Sequence, residues 1–544
     1  MKNNYKIMLR KINSMVLLIS ILTVAACSKE FLDTKPTDSI SSADALASAS
    51  NLNLVLNGLH RQMYAQSPLT GGSSSRAGEH YWIPLDDVIT GSLIHSARAN
   101  GWMRSDLQWL NHTDANSLTV DQLWYQRYHF IASSNAIINQ VEELGLAISP
   151  EISNVLGQAY AYRAWAYHKL ITHYAKGYII GNPSTDPGVP LLTSTEAPYT
   201  SAPRSTVEEI YNQIEADINQ AISFFQNASA SDNKSHLSIN AAYGIKSRVA
   251  LSKGDWSTAA SAAALARDGF NLLNESQWLS GFNTTDLPEV IWGGRVIDTE
   301  TTYYRSYFYL ICPTFNGSQN RGNPKLVNRL IYDQIPATDF RRHMALPDAP
   351  NTNSSASNDT GGSAASDPNY DSQEEFTAAK AAIIAQYGMT SRHNTHPYMH
   401  VKFLQANPGT IDPDDVIYMR SSEMYLNEIE AKIMLNDLGG ARTLLQLFGE
   451  SRDTAYNAAS FTTKEQLLEQ LKFQRYVELF GEGFSYTDHI RWDQAIDLTG
   501  TGASLVLYQD GFTQAKPSVN EDWIWKIPQA EIDANPNINE ADQN

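Results

Sequence analysis

Three histidines stand close together at His393, His396 and His400. Zinc takes three or four nitrogen or sulfur ligands, so the spacing raises the question of a metal. Pro397 lies inside the run, which rules against a helical face with ligands at i and i+4, and no glutamate stands in an HExxH arrangement. The histidines therefore read as loop residues, and neither a metal nor another cofactor is expected. Glycoside hydrolysis would need two carboxylates at a set separation. Acids are plentiful, but no motif singles out a pair, and there is no GxSxG elbow, P-loop or GxGxxG after a strand. No catalytic residue is expected.

Aromatic side chains in irregular stretches are more informative. Tyr81, Trp82 and Trp102 stand beside Asp86, Asp87 and Arg104, and Tyr303, Tyr304, Tyr307 and Tyr309 follow a strand-like run at 289–292. An aromatic plane can carry the apolar face of a sugar ring while acids, amides and arginine take the hydroxyls at its rim.

Of the two cysteines, Cys312 has no motif-level partner and reads as a buried, inert thiol. Cys27 has a clearer context. Lys2, Lys6, Arg10 and Lys11 form a basic segment, residues 15–26 (MVLLISILTVAA) are apolar, and Val24, Ala25 and Ala26 lead into the cysteine. The apolar run is shorter than the roughly 20 residues of a spanning helix, so it reads as a signal peptide ending in a lipobox, with Cys27 lipidated. More than one acyl chain is needed for stable anchoring, which lipoprotein processing would supply. Lys29, Glu30 and Asp33 follow, like the surface-export signal of Bacteroidetes lipoproteins. The lipid would be the only membrane attachment. The chain carries a formal net charge of -18 over 544 residues, and its first 26 residues contribute only positive charge. A body that acidic repels phosphate backbones, so nucleic acid is not an expected partner.

The elements that must position these residues are mostly helices. Val207, Ile210, Tyr211, Ile214, Ile218, Ala221 and Ile222 form one stripe, with Ser205 and Glu208 spaced as a capping box. A preceding helix over 151–176 carries Leu156, Tyr160, Ala164, Tyr167, Leu170 and Tyr174, with Gly177 as its C-cap. Helix, tight turn, helix is predicted for 240–253, Gly254 to Trp256 and 257–267, and again for 420–436, Gly439 with Gly440, and 441–448. Further helices are predicted over 43–64, 120–144 and 464–480. The fold class is mainly α: a tetratricopeptide-like helical hairpin scaffold with an irregular, loop-rich ligand-binding subdomain. The division expected is signal peptide 1–26, lipidated tether 27–42, scaffold 43–275 with an insertion about 66–119, irregular subdomain 276–416, C-terminal helix pairs 417–500 and an extended tail 501–544. Within the subdomain, 351–370 is rich in Asn, Ser, Gly and Asp and reads as a flexible loop.

Several segments resemble the SusD/RagB family. They are 162–170 (YRAWAYHKL) with Gly188 to Leu191, 204–217 (RSTVEEIYNQIEAD), 241–256 ending in Gly254, Asp255 and Trp256, and Arg420, Glu423 and Leu426 with Glu428. Glu478, Glu482 and Gly483 with Asp488, Arg491 and Trp492 follow, then Trp525, Pro528 and Glu531 with Asn535 and Pro536. In this order they span nearly the whole mature chain. Ser485 and Gln474 depart from the family pattern, where arginine and glutamate are usual. The resemblance implies four helix pairs with an irregular subdomain, displayed on the outer membrane as a surface lipoprotein. It implies capture of an oligosaccharide, or in some members a peptide, for a partner TonB-dependent, SusC-like transporter, with both aromatic regions above facing the ligand. The alternatives are a surface glycan hydrolase, a peptide-binding member of the same family, or a helical adaptor that binds only protein.

Overall fold

The computed structural model describes residues 48–65, 78–96, 102–194, 201–229, 232–297, 299, 306–352, 363–364, 367–508 and 512–544. Contacts divide the chain into a short leading unit, 1–54, and a large unit, 55–544, to which the following account applies. The elements that matter are α1 (Ala49–Gln62), which begins in the leading unit, α2 (Glu79–Ile89), β1 (Leu93–His95), α3 (Arg104–Leu107), α4 (Leu118–Glu143), α5 (Pro150–Tyr174), β2 (Pro187–Pro190) and β3 (Arg204–Thr206). They continue with α6 (Val207–Phe225), α7 (Ile239–Lys253), α8 (Trp256–Ala266), β4 (Val290–Gly294), α9 (Tyr307–Ile311), β5 (Lys325–Val327), α10 (Arg329–Tyr332), β6 (Ala345–Leu346), α11 (Gln373–Gln386) and β7 (Met399–His400). The C-terminal part adds β8 (Val416–Arg420), α12 (Ser421–Met434), α13 (Leu438–Glu450), α14 (Lys464–Glu478) and α15 (Ser485–Trp492).

The protein is mainly helical, with a tetratricopeptide-like scaffold. α4 packs on α5, α5 on α6, α6 on α7, α7 on α8, α8 on α12, and α12 on both α13 and α14. Each helix thus covers the apolar face of its neighbour, which none could bury alone. The stripe predicted on α6 is buried in full. α5 is buried almost all round, as befits a helix with neighbours on both sides. α7 and α8 approach closely through Ala241, Ala242, Ala250, Ala259, Ala262 and Ala263, all buried. Gly254, at φ 75°, ends α7 in the left-handed region, and Asp255 caps α8 by accepting from the Thr258 amide.

Three local expectations are revised. The capping box of α6 is Thr206 with Glu209, not Ser205 with Glu208. The residues before it, Arg204 to Thr206, are held extended by pairing with β2, so the helix starts one residue later. α5 ends at Tyr174 because Ala175 is extended, so Gly177 is not its cap. Gly439 and Gly440 lie inside the first turn of α13, where Asp437 caps by accepting from the Gly440 amide; the turn itself uses the left-handed Asn436 at φ 61°.

The irregular part is built on small sheets. β4 pairs antiparallel with β8, which seats the expected strand at 289–292 against the start of α12. A four-stranded sheet runs in the order β1-β5-β7-β6, so strands far apart in sequence meet. α2 was not predicted. It holds Pro84 and is buried on every side, so it shows no amphipathic stripe.

Candidate ligand-binding site

The aromatic residues of the two insertions divide into a buried layer and a rim. Tyr81, Trp82, Asp86, Asp87, Tyr307 and Tyr309 are at most 5% exposed. Tyr81 donates to Asp106 Oδ2 at 2.9 Å, and Trp82 Nε1 donates to Gln126 Oε1 at 2.5 Å. Asp106 also accepts from Asn111 and Thr119, which ties α2 and α3 to the start of α4. Asp86 meets His173 Nε2 at 3.0 Å and Lys169 Nζ at 3.6 Å. Burial opposes its charge, but these two neighbours hold its carboxyl below the ordinary value. Tyr307 donates to the Gly481 carbonyl at 3.0 Å. Tyr81, Trp82, Asp86 and Tyr307 thus have framework partners of their own, and a solute at the surface would not meet them.

Trp102 and Arg104 are placed differently. Met103 is left-handed, at φ 53°, and turns the chain as it enters α3. Trp102 is half-buried and Arg104 exposed. The Trp102 ring stands edge-on to Tyr309, 6.2 Å between centroids and 81° between planes. Tyr309 in turn lies perpendicular to Phe315 at 5.9 Å. Gly317 closes on the Tyr309 ring, where a Cβ would come within 2.6 Å of a ring carbon, so only glycine fits. The fold thus joins one residue from each insertion in a single aromatic edge. Tyr303 and Tyr304, like Cys27, lie outside the described residues.

The three histidines do not converge. His393 Nε2 faces the Phe315 carbonyl, His396 Nδ1 the Pro397 carbonyl and His400 Nε2 the Ile311 carbonyl. Among the described residues no group of His, Cys, Asp or Glu could hold a metal ion. Cys312 is buried against Thr314, and burial pushes its thiol up to about 12.

Sequence reasoning missed the most heavily charged part of the interior. Arg420 reaches Glu289 at 2.5 Å, Glu478 at 2.7 Å and Glu482 at 2.7 Å. Arg452 joins Glu289 and Glu478, Arg341 joins Glu478 and Asp339, and Lys402 meets Glu482 at 2.6 Å. All these groups are at most 8% exposed at the side chain. Burial works against the charge on Glu478, yet the guanidinium groups of Arg452, Arg420 and Arg341 hold it well below the carboxylate range. Gln474 accepts from Arg341 Nη2 at 2.6 Å, so the amide there serves this junction directly. The ion pair of Arg475 with Asp488 is bidentate, at 2.9 and 2.8 Å. The junction fastens β4, β8 and α14 together, and through them the irregular part to the scaffold.

A helical stack carrying an irregular, loop-rich part is the architecture of the SusD fold. The family model described as "Starch-binding associating with outer membrane" matches residues 30–251, and that of the SusD family matches residues 288–544. The chain belongs to the SusD/RagB family. It is 23% identical over 419 residues to SusD-like protein P38 of Formosa agariphila, covering 72% of this chain and 76% of that one. A SusD-like carbohydrate-binding protein from Bacteroides vulgatus superposes with a TM-score of 0.72 at 21% identity, covering 91% of this chain and 98% of that one. A surface glycan-binding protein from Bacteroides thetaiotaomicron, solved in complex with laminarihexaose, superposes with a TM-score of 0.62 at 15% identity, covering 90% and 98%.

Proposed function

We propose that this protein is a cell-surface lipoprotein that binds an oligosaccharide without cleaving it and delivers it to a partner TonB-dependent, SusC-like transporter. The observation that carries the reading is the meeting of Trp102 and Tyr309, with Arg104 exposed two residues further along the chain. A half-exposed indole backed by a fixed phenol is a rigid platform for a pyranose face, and an exposed guanidinium donates to hydroxyls. Tyr303 and Tyr304 extend the same site on the sequence reading. Family membership and the laminarihexaose complex of a structural relative support a glycan as the ligand. The lipobox at Val24 to Cys27 supports anchoring by lipid, and no helix of the described residues is long and apolar enough to cross a membrane. The family model named for outer-membrane association supports that location.

Incubation of the purified protein with plant, host and microbial oligosaccharides, followed by separate assays of binding and of product, tests this. Binding with no product is expected. Appearance of shortened sugars would make the protein a hydrolase, and failure to bind any glycan would favour a peptide ligand.

A further inference from the structure

A cavity of about 520 Å³ lies between α14 and α15, closed on one side by α2 and α10. It shares no lining residue with the Trp102 and Tyr309 rim. Its size falls within the roughly 300–1,000 Å³ of small-molecule sites. Phe473 and Tyr476 from α14, Phe484 from the turn and Trp492 at the end of α15 form its aromatic walls, all partly open to it. α14 and α15 each present residues at i, i+3, i+4 and i+7, so the two helices offer one continuous face apiece.

The charges around this cavity are uneven. Four carboxylates line it, and three already have cations. Glu469 pairs with Lys472 at 3.1 Å, Asp493 with Lys516 at 2.6 Å, and Asp488 with both Arg475 and Arg491. The fourth, Asp87, is 1% exposed and has only neutral donors. Its Oδ1 accepts from the Ser485 amide at 3.1 Å and the Ser485 hydroxyl at 2.7 Å, and its Oδ2 accepts only from the Gly483 amide at 3.1 Å. Oδ2 keeps a free lone pair. Burial pushes this carboxyl up to about 6, as it must where charge is desolvated without a counter-charge.

We propose that this cavity is a second binding site, for an organic cation: an ammonium or guanidinium group set against Asp87, on a body of sugar-ring or amino-acid size held between the aromatic walls. A cation supplies the charge that Asp87 lacks, and aromatic faces attract cations as well as apolar rings. Two sources share this chemistry, an amino sugar and a basic side chain of a peptide.

Calorimetric titration at pH 7.0 with Nα-acetylated arginine amide and with glucosamine, each beside its neutral counterpart, Nα-acetylated citrulline amide and glucose, tests the proposal. At least one cation is expected to bind roughly ten-fold or more tightly than its neutral counterpart. Binding of the acetylated arginine amide alone would point to a basic side chain, and of glucosamine alone to an amino sugar. Phe473→Ala should weaken that binding by about ten-fold or more. Ser485→Arg, which tethers a guanidinium beside Asp87, should abolish it while circular dichroism stays unchanged. Absence of binding by both cations in the millimolar range would overturn the proposal. So would equal binding of the neutral counterparts, or undiminished binding by a folded Ser485→Arg protein. Glycan binding at the Trp102 rim is read independently in the same variants.

Discussion

The helical stack and the junction at β8 both bury their contacts, but different forces hold them. From α4 to α8 the contacts are apolar stripes and close-packed alanines, with an occasional buried pair such as Arg163 with Asp217 at 2.6 Å. At the junction, Arg341, Lys402, Arg420 and Arg452 interlock with Asp339, Glu289, Glu478 and Glu482. Apolar packing is tolerant and spreads its contribution over many side chains. A buried ionic network is not, because removing one member leaves others desolvated and unpaired. The stack therefore gives stability by accumulation, while the junction fixes one arrangement of the irregular part that carries the rim.

The sharpest way to break this contrast is Arg420→Met. It removes the one cation shared by Glu289, Glu478 and Glu482, leaving three buried carboxylates to Arg341, Arg452 and Lys402, and should cost about 3–5 kcal/mol in chemical denaturation; a cost below about 1 kcal/mol would show the network to be dispensable. Acid titration should next separate the buried histidines from the junction's carboxylates. Burial lowers His112, His168 and His400 to about 3 each. The unfolded chain takes up their protons below about 6.5 while the folded chain does not, so stability falls with pH from there at about 1.4 kcal/mol per unit for each histidine. Glu478 and Glu482 are held below their ordinary value of 4.5, so the stability they contribute is present above that value and is lost only as the pH falls further. A melting-temperature profile flat from pH 8 down to pH 5 would contradict the histidine assignment. In the stack, Ile214→Ala should cost about 2–5 kcal/mol through the cavity it leaves, with no effect on ligand binding. Smallest of all, Thr206→Ala removes the cap of α6 and should cost about 1 kcal/mol by the same denaturation measurement.

What could be read from the sequence follows the same division. The stripe from Val207 to Ile222 was legible because a helix with one solvent face repeats every 3.6 residues. The start of that helix was misplaced by one residue because pairing of Arg204 to Thr206 with β2 is a tertiary fact with no local signature. α2 was missed because a helix buried all round, with Pro84 inside, shows no stripe at all. The junction draws partners from positions 289, 339, 341, 402, 420, 452, 478 and 482, and no spacing along the chain announces such a set. The aromatics of the two insertions were visible as residue types. Which of them are rim and which framework depended on Tyr81, Trp82 and Tyr307 finding interior partners, and the contact of Trp102 with Tyr309 needed the fold.

The central claim is that an aromatic rim on this scaffold binds a glycan and that the interior only supports it. Calorimetric titration of laminarihexaose and other linear oligosaccharides into the wild-type protein and into the Trp102→Ala, Tyr304→Ala double variant tests it most directly. The account predicts saturable binding to the wild type, no binding to the variant, and the same melting temperature for both. Undiminished binding by the variant, or its failure to fold, would contradict the account.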